Sequence, residues 1–255
     1  MSAPTPLLRR TLARLIEGAG RLAGSRCLVC ARWQADPLCP ACRAVHADAH
    51  AGSARCRVCA RRLGARGLDP VCADCARHPP AFDRACAALD YGPPWDRLIA
   101  GFKFAGRCEL AGPLAALMIG RGPPPGCDGW GDAVLLPVPL APGRLRERGY
   151  NQAWELARRL AGGSGLQARA DWLARVVETP HQTGRSRAQR LAGLHGAFVP
   201  TPAGLRALPG RAVVLVDDVM TTGATLGELA RTVRRAGAAS VGCWVLARTM
   251  GDDAR

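Results

Sequence analysis

The chain has 255 residues, 48% of them hydrophobic and 22% charged, so it can bury a core and is not disordered along its whole length. Its 35 basic and 20 acidic residues give a formal charge of +15, which favours phosphate and nucleic-acid partners at low salt. No apolar run reaches the ~20 residues of a membrane span, which argues against an integral membrane protein.

Residues 1–26 set Arg9, Arg10 and Arg14 among Leu7, Leu8, Leu12, Leu15 and Ile16, the pattern of a short amphipathic helix. The arginines and Glu17 interrupt any continuous apolar stretch. The segment therefore does not read as a secretion signal, and the expected compartment is the cytoplasm.

Eight of the twelve cysteines fall within residues 27–80, as four C-x-x-C pairs: Cys27/Cys30, Cys39/Cys42, Cys56/Cys59 and Cys72/Cys75. A two-residue gap lets both sulfurs of a pair face one metal ion, and two pairs complete the tetrahedral S₄ shell that Zn²⁺ favours. Eight residues separate the pairs of the first set and twelve those of the second, lengths that suit zinc-ribbon loops. Disulfides are the alternative, and a reducing cytosol disfavours them. Sequential pairing is the simplest arrangement, with interleaved pairing left open by sequence. The segment is poor in large apolar residues, so metal is expected to supply much of its folding free energy. His46 and His50 read as surface residues. Cys86, Cys108, Cys127 and Cys243 read as ordinary buried or half-buried thiols, and most of the scattered tryptophans as core anchors.

From residue 84 to about 250 the texture becomes α/β. RACAALDY reads as a strand, and Trp95, Leu98, Ile99 and Phe102 mark the apolar face of a helix. LAGPLAALMIGRG reads as a second helix and AVLLPVPL (133–140) as a buried strand. A basic loop with Arg144, Arg146, Arg148 and Gly149 leads into the helix YNQAWELARRLAG. TPAGLRALPG (201–210) looks like a connector, and SVGCWVLART like a final strand. Alternating strands and helices imply a parallel sheet, with ligands beyond the carboxyl ends of its strands.

The sharpest chemistry lies in Val213–Thr225. Val213–Val216 form an apolar strand with Asp217 and Asp218 at its carboxyl end. Thr221, Thr222, Gly223, Ala224 and Thr225 then open a helix. Small residues and hydroxyls at a helix N-terminus let backbone N–H groups enclose a phosphate. The paired carboxylates suit sugar hydroxyls, directly or through Mg²⁺. A sugar phosphate fits both halves of that site. A strand-end turn with a helix cap is the plainer alternative.

VVLVDDVMTTGAT resembles the phosphoribosyl pyrophosphate (PRPP) loop of type I phosphoribosyltransferases. Over nearly all of residues 27–250 the chain resembles the ComF (competence protein F) family. The four cysteine pairs, FKFAG around Lys103, LLPVPLAPGRLRERGYNQA (135–153) and HQTGRSRAQRLAGLHGAF (181–198) carry that resemblance. It implies a phosphoribosyltransferase-like parallel sheet behind an N-terminal zinc-ribbon domain. It further implies that Asp217 and Asp218 hold the ribose hydroxyls of PRPP, and that Thr221, Thr222, Gly223 and Thr225 hold its 5′-phosphate. Pro137, Val138 and Pro139 would line the pyrophosphate loop, with Arg144 and Arg148 meeting pyrophosphate and Asn151 and Gln152 opening the next helix. Gln182, Arg185, Arg187 and Arg190 would belong to the mobile loop that covers the site. The R-x-x-N often found in that loop stands here as Arg190-Leu191-Ala192-Gly193, so the resemblance carries binding further than turnover.

The expected function is Mg²⁺-dependent phosphoribosyl transfer to an acceptor the sequence does not identify, linked by resemblance to DNA uptake in competence. The competing reading is a non-catalytic PRPP- or nucleotide-sensing zinc protein. Its basic surface would meet single-stranded DNA or a competence or DNA-transport protein.

Overall fold

The computed structural model describes residues 24–48, 52–64, 70–122, 132–177 and 194–250. The expected amphipathic helix before residue 24 lies outside them, as do Cys127, His50, His181, Gln182, Arg185, Arg187 and Arg190. Two compact units divide between Gly52 and Ser53, inside the cysteine-rich stretch.

The first unit is a small hairpin built on cysteine. Strands β1 (Ser25–Arg26) and β2 (Trp33–Gln34) pair antiparallel, and the short helix α1 (Pro40–Cys42) follows with Pro40 in its first turn. Its large aromatic, Trp33, is 66% exposed instead of serving as a core anchor, because so small a unit has no apolar interior to receive it.

The second unit begins with the same motif. An isolated antiparallel bridge joins Arg55 to Arg62, and helix α2 (Ala73–Arg77) follows. The chain then enters a five-stranded parallel sheet of β3 (Arg84–Asp90), β4 (Val134–Pro137), β5 (Gln167–Ala168), β8 (Ala212–Met220) and β9 (Ser240–Arg248). The spatial order is β3-β9-β8-β4-β5, which sets β8 at the centre. Helices α3 (Trp95–Phe104), α4 (Ala111–Gly120), α5 (Pro142–Arg148) and α6 (Gln152–Ser164) lie between the strands in sequence. A separate ribbon pairs β6 (Leu173–Arg175) with β7 (Phe198–Pro200). Helices α7 (Pro202–Ala207) and α8 (Ala224–Arg235) complete the unit.

Successive strand residues face opposite sides of the sheet. Val213, Leu215, Cys243 and Val245 join Leu226, Leu229, Ala230 and Val233 of α8 in one core. Val214, Val216 and Trp244 face the other side, where α4 and α6 meet the sheet. Both faces are covered, as a parallel sheet requires.

Several elements differ from their sequence reading. The strand expected over 133–140 stops at Pro137, because Pro137 and Pro139 lack the N–H that a ladder needs. The expected basic loop is the helix α5: Pro142 starts it without needing a bonded N–H, and Gly149 ends it at φ 77°. The supposed connector at 201–210 holds α7, capped by Thr201 Oγ1 accepting from the Gly204 N–H at 3.1 Å. Cys108 is exposed, whereas Cys243 is buried and Cys86 half-buried. Among the described residues, no helix is long and apolar enough to cross a membrane.

Candidate functional site

The eight knuckle cysteines gather sequentially into two sets, Cys27/Cys30/Cys39/Cys42 and Cys56/Cys59/Cys72/Cys75, each with all sulfurs within 4.8 Å of one another. The two sets share one local design. Ala31 N–H bonds to Cys27 O and Ala60 N–H to Cys56 O, each at 2.8 Å. Ala31 and Ala60 adopt φ 59° and 58°, the left-handed turn that brings the second sulfur round to the first. Amides aim at sulfur in both: Cys39 N–H at Cys27 Sγ (3.5 Å) and Cys72 N–H at Cys56 Sγ (3.3 Å).

The geometry fits zinc. Cys30 and Cys39 sulfurs lie 3.8 Å apart, and those of Cys59 and Cys72 3.7 Å apart. A tetrahedron with Zn–S of about 2.3 Å has an edge of about 3.8 Å, while a disulfide would need about 2.05 Å. Burial raises the Cys27 thiol, but backbone amides donating to it prevail and bring its pKa down to about 6. The same balance of burial against backbone amides brings Cys56 to about 7. Neighbouring sulfurs push Cys42 up to about 12, and burial raises Cys59 and Cys75. Four sulfurs gathered this closely suit one tetrahedral cation in each cluster.

The second candidate site sits at the carboxyl end of β8. The strand does not stop before its acids: it stays paired with β9 as far as Met220 and Arg248. Asp217 and Asp218 both lie within this paired stretch, and their carboxyls interact with each other. Asp218 is buried at 2% exposure and pairs through Oδ1 with Lys103 Nζ of α3 at 3.1 Å. Its Oδ2 is buried with no hydrogen-bond partner among the described residues. An orphaned carboxylate oxygen is the acceptor that a ligand hydroxyl or a metal would satisfy. Burial and the adjacent Asp218 push the Asp217 carboxyl well above its usual range, against the pull of Lys103.

Thr221 is exposed and Thr222, Gly223 and Thr225 half-buried, while Ala224 is buried. Gly223 takes φ 78° to turn the chain from β8 into α8, a conformation that favours glycine. Thr222 Oγ1 accepts from the Ala224 N–H at 3.3 Å, which tightens the loop. The first-turn amides of α8, a twelve-residue helix, lack intrahelical acceptors by construction.

Pro137 and Val138 are buried beside β8, with the Val138 N–H bonding to Val216 O at 2.9 Å; Pro139 is half-buried. Asn151 fixes the following turn: Nδ2 donates to Val138 O at 3.0 Å, and Oδ1 accepts from the Ala153 and Trp154 amides that open α6. Arg144 reaches Glu147 at 2.7 Å. The Arg148 guanidinium lies 4.9 Å from the centroid of the Phe104 ring, next in sequence to Lys103.

Three contributors to this geometry carried no role in the sequence reading. Lys103 had a signal, as the only lysine in a chain with 35 basic residues. Arg175 of β6 had none. Burial and Arg144 lower its pKa while Asp217 opposes them. Arg248 closes β9 with its guanidinium buried, and it donates to carbonyls of the β8 loop.

A phosphoribosyl transferase domain model matches residues 148–254. A DNA utilization protein of Salmonella typhi is 34% identical over 234 residues, covering 84% of this chain and 97% of the relative. Competence protein F of Haemophilus influenzae is 32% identical over 187 residues, covering 69% of this chain and 78% of that protein. A solved glutamine PRPP amidotransferase from B. subtilis aligns with 56% of this chain and 26% of its own, at 20% identity and a TM-score of 0.34. A relative matched at this identity over nearly its whole length, the match to competence protein F itself, the family domain over residues 148–254 and the two cysteine tetrads agree, and the chain belongs to the competence protein F (ComF) family.

Proposed function

We propose that the chain binds PRPP together with Mg²⁺ at the carboxyl end of β8 and transfers the phosphoribosyl group to a nitrogen acceptor. The observation that carries this reading is the orphaned Oδ2 of buried Asp218 beside a glycine-turned loop that opens an α8 N-terminus. Asp217 and Asp218 accept from the ribose hydroxyls. The hydroxyls of Thr221, Thr222 and Thr225, with the α8 amides, donate to the 5′-phosphate. Pro137, Val138 and Pro139 form the floor under pyrophosphate, and Arg144, Arg148 and Arg175 supply positive charge for the leaving group. Mg²⁺, when bound, adds Lewis-acid stabilisation of that same leaving group. The resemblance assigns Gln182, Arg185, Arg187 and Arg190, which lie outside the described residues, to a loop that would exclude water from the reacting sugar.

The two tetrads each hold a structural Zn²⁺. The relatives' printed names, a DNA utilization protein and competence protein F, support a role in DNA utilization or competence, the +15 charge suits a nucleic-acid partner, and the proposed compartment is the cytoplasm. The departure at Arg190–Gly193 favours a second reading, in which PRPP or a nucleotide binds as a signal without turnover.

Calorimetric titration of PRPP with Mg²⁺ tests the binding. We expect saturable binding in the zinc-loaded wild type and none in Asp217→Asn/Asp218→Asn. A folded, zinc-loaded wild type that ignores PRPP would refute both readings. Acceptor-dependent release of pyrophosphate separates the enzyme from the sensor.

A further inference from the structure

The second tetrad shares a compact unit with the sheet, and one side chain spans the gap between that tetrad and the phosphate loop. Arg248 is 2% exposed. Its Nε donates to the carbonyl of Cys59, a knuckle residue, at 2.9 Å. Its Nη1 donates to Met220 O at 3.0 Å and to Thr221 O, the two residues that lead into Gly223. Thr249 repeats the connection, with its N–H on Met220 O at 3.1 Å and its hydroxyl on Thr221 O at 3.4 Å.

Packing runs the same way. Ala60, Phe82, Met220 and Ala224 belong to one core cluster, and Val58 packs against both that cluster and the four cysteines. Arg55 and Arg62 pin the knuckle to Asp90 at the end of β3. The knuckle is thereby held on both sides of Cys59.

The charge of Arg248 needs a counter-ion, since among the described residues it pairs with no carboxylate and donates to carbonyls and one hydroxyl. Four thiolates on one Zn²⁺ carry a net charge of about −2. Loaded with metal, the Cys56/Cys59/Cys72/Cys75 set is that counter-ion. A fork with fixed donor directions then orients the carbonyls of Met220 and Thr221, and with them the loop amides that follow.

We propose that Arg248 is a positioning residue that couples metal occupancy of the second tetrad to the geometry of the Asp217–Thr225 loop, so that this tetrad, and not the first, sets affinity for the phosphorylated ligand. The affinity half of this inference rests on the PRPP reading above. The loop-geometry half does not.

The test uses the full zinc-loaded chain, with Arg248→Gln, Arg248→Lys, Cys56→Ser and Cys30→Ser, and two readouts. Hydrogen exchange reports the amides of 221–225 without any ligand, and calorimetry reports PRPP with Mg²⁺. Arg248→Gln should keep its zinc stoichiometry yet exchange the loop amides about tenfold faster and bind PRPP about tenfold more weakly, with partial recovery in Arg248→Lys. Cys56→Ser should match it, the double variant should be no worse than either single, and Cys30→Ser should leave both readouts at wild type. Wild-type loop exchange in Arg248→Gln, or additive effects in the double variant, would overturn the coupling. Should Cys56→Ser fail to fold, Arg248→Gln decides alone, because its tetrad is intact. Wild type that does not bind PRPP but shows the expected exchange pattern refutes the ligand and keeps the coupling.

Discussion

Asp217 and Asp218 are neighbours in sequence and opposites in environment. Asp218 turns under α3 and is compensated by Lys103, whose side chain is the more exposed of the two. Asp217 is half-buried and carries a desolvation cost beside another carboxylate, Asp218. Its pKa in the fold lies well above the ordinary 3.8, so its contribution to stability is fully present below that value and is lost as pH rises through the raised one. At neutral pH the ligand-free protein therefore bears a stability penalty from this carboxyl. Asp217→Asn should remove it: the apo variant should melt higher than wild type at pH 7.5, the gap should close toward pH 4, and PRPP binding should fall. Thermal melts across that range check the sign, and a variant less stable than wild type at pH 7.5 would contradict it. The sequence shows these two carboxylates simply as a pair, and only the fold gives Lys103 to one of them.

At the scale of elements, the two cysteine motifs form a natural comparison. Both place an alanine in the left-handed region, at Ala31 and Ala60, where a Cβ is strained by roughly 1–2 kcal/mol. Ala31 is exposed, while Ala60 is 2% exposed within the main core. Ala31→Gly should thus stabilise the zinc-loaded first motif by about 0.5–1 kcal/mol. Ala60→Gly loses a buried methyl worth about 0.8 kcal/mol and should be close to neutral. Zinc-retention assays against graded chelator measure both, and equal gains at the two positions would mean that the buried methyl does no work. The α/β elements were legible where periodicity was long. Trp95, Leu98, Ile99 and Phe102 are all buried on α3, as their spacing requires. Elements of seven residues or fewer, α5 and α7, were missed because a short helix is set by its caps rather than by a repeating face.

For the molecule as a whole, the two units should depend on metal to different degrees. The first contains cysteines, short strands and an exposed Trp33, with little else to bury. The second has a two-sided sheet and a continuous core. Stripping zinc with a chelator should abolish amide protection across 24–48, while β4, β8 and β9 remain protected and only the 56–75 motif and its loop contacts loosen. Hydrogen exchange with and without chelator tests this, and retained protection in 24–48 after metal loss would show that burial alone holds that unit. Glu228 shows how the second unit supports its own site: its carboxylate accepts from the Gly196 N–H at 3.1 Å and from Arg231, tying residues just before β7 to α8.

By itself the sequence determined the chemistry whose parts lie close in the chain. The C-x-x-C spacings specify sulfur pairs, and the run from Val213 to Thr225 specifies a strand, two acids and a turn that opens a helix. Such features are local because bond geometry over a few residues decides them. The tertiary structure alone decided which distant groups complete them. Lys103 reaches Asp218 across 115 positions of sequence, and Arg248 reaches Cys59 across 189. Both contacts follow from the strand order β3-β9-β8-β4-β5, which brings distant strand ends to one edge of the sheet. That order is fixed by which apolar faces bury one another, a property of the whole chain that no window of sequence contains.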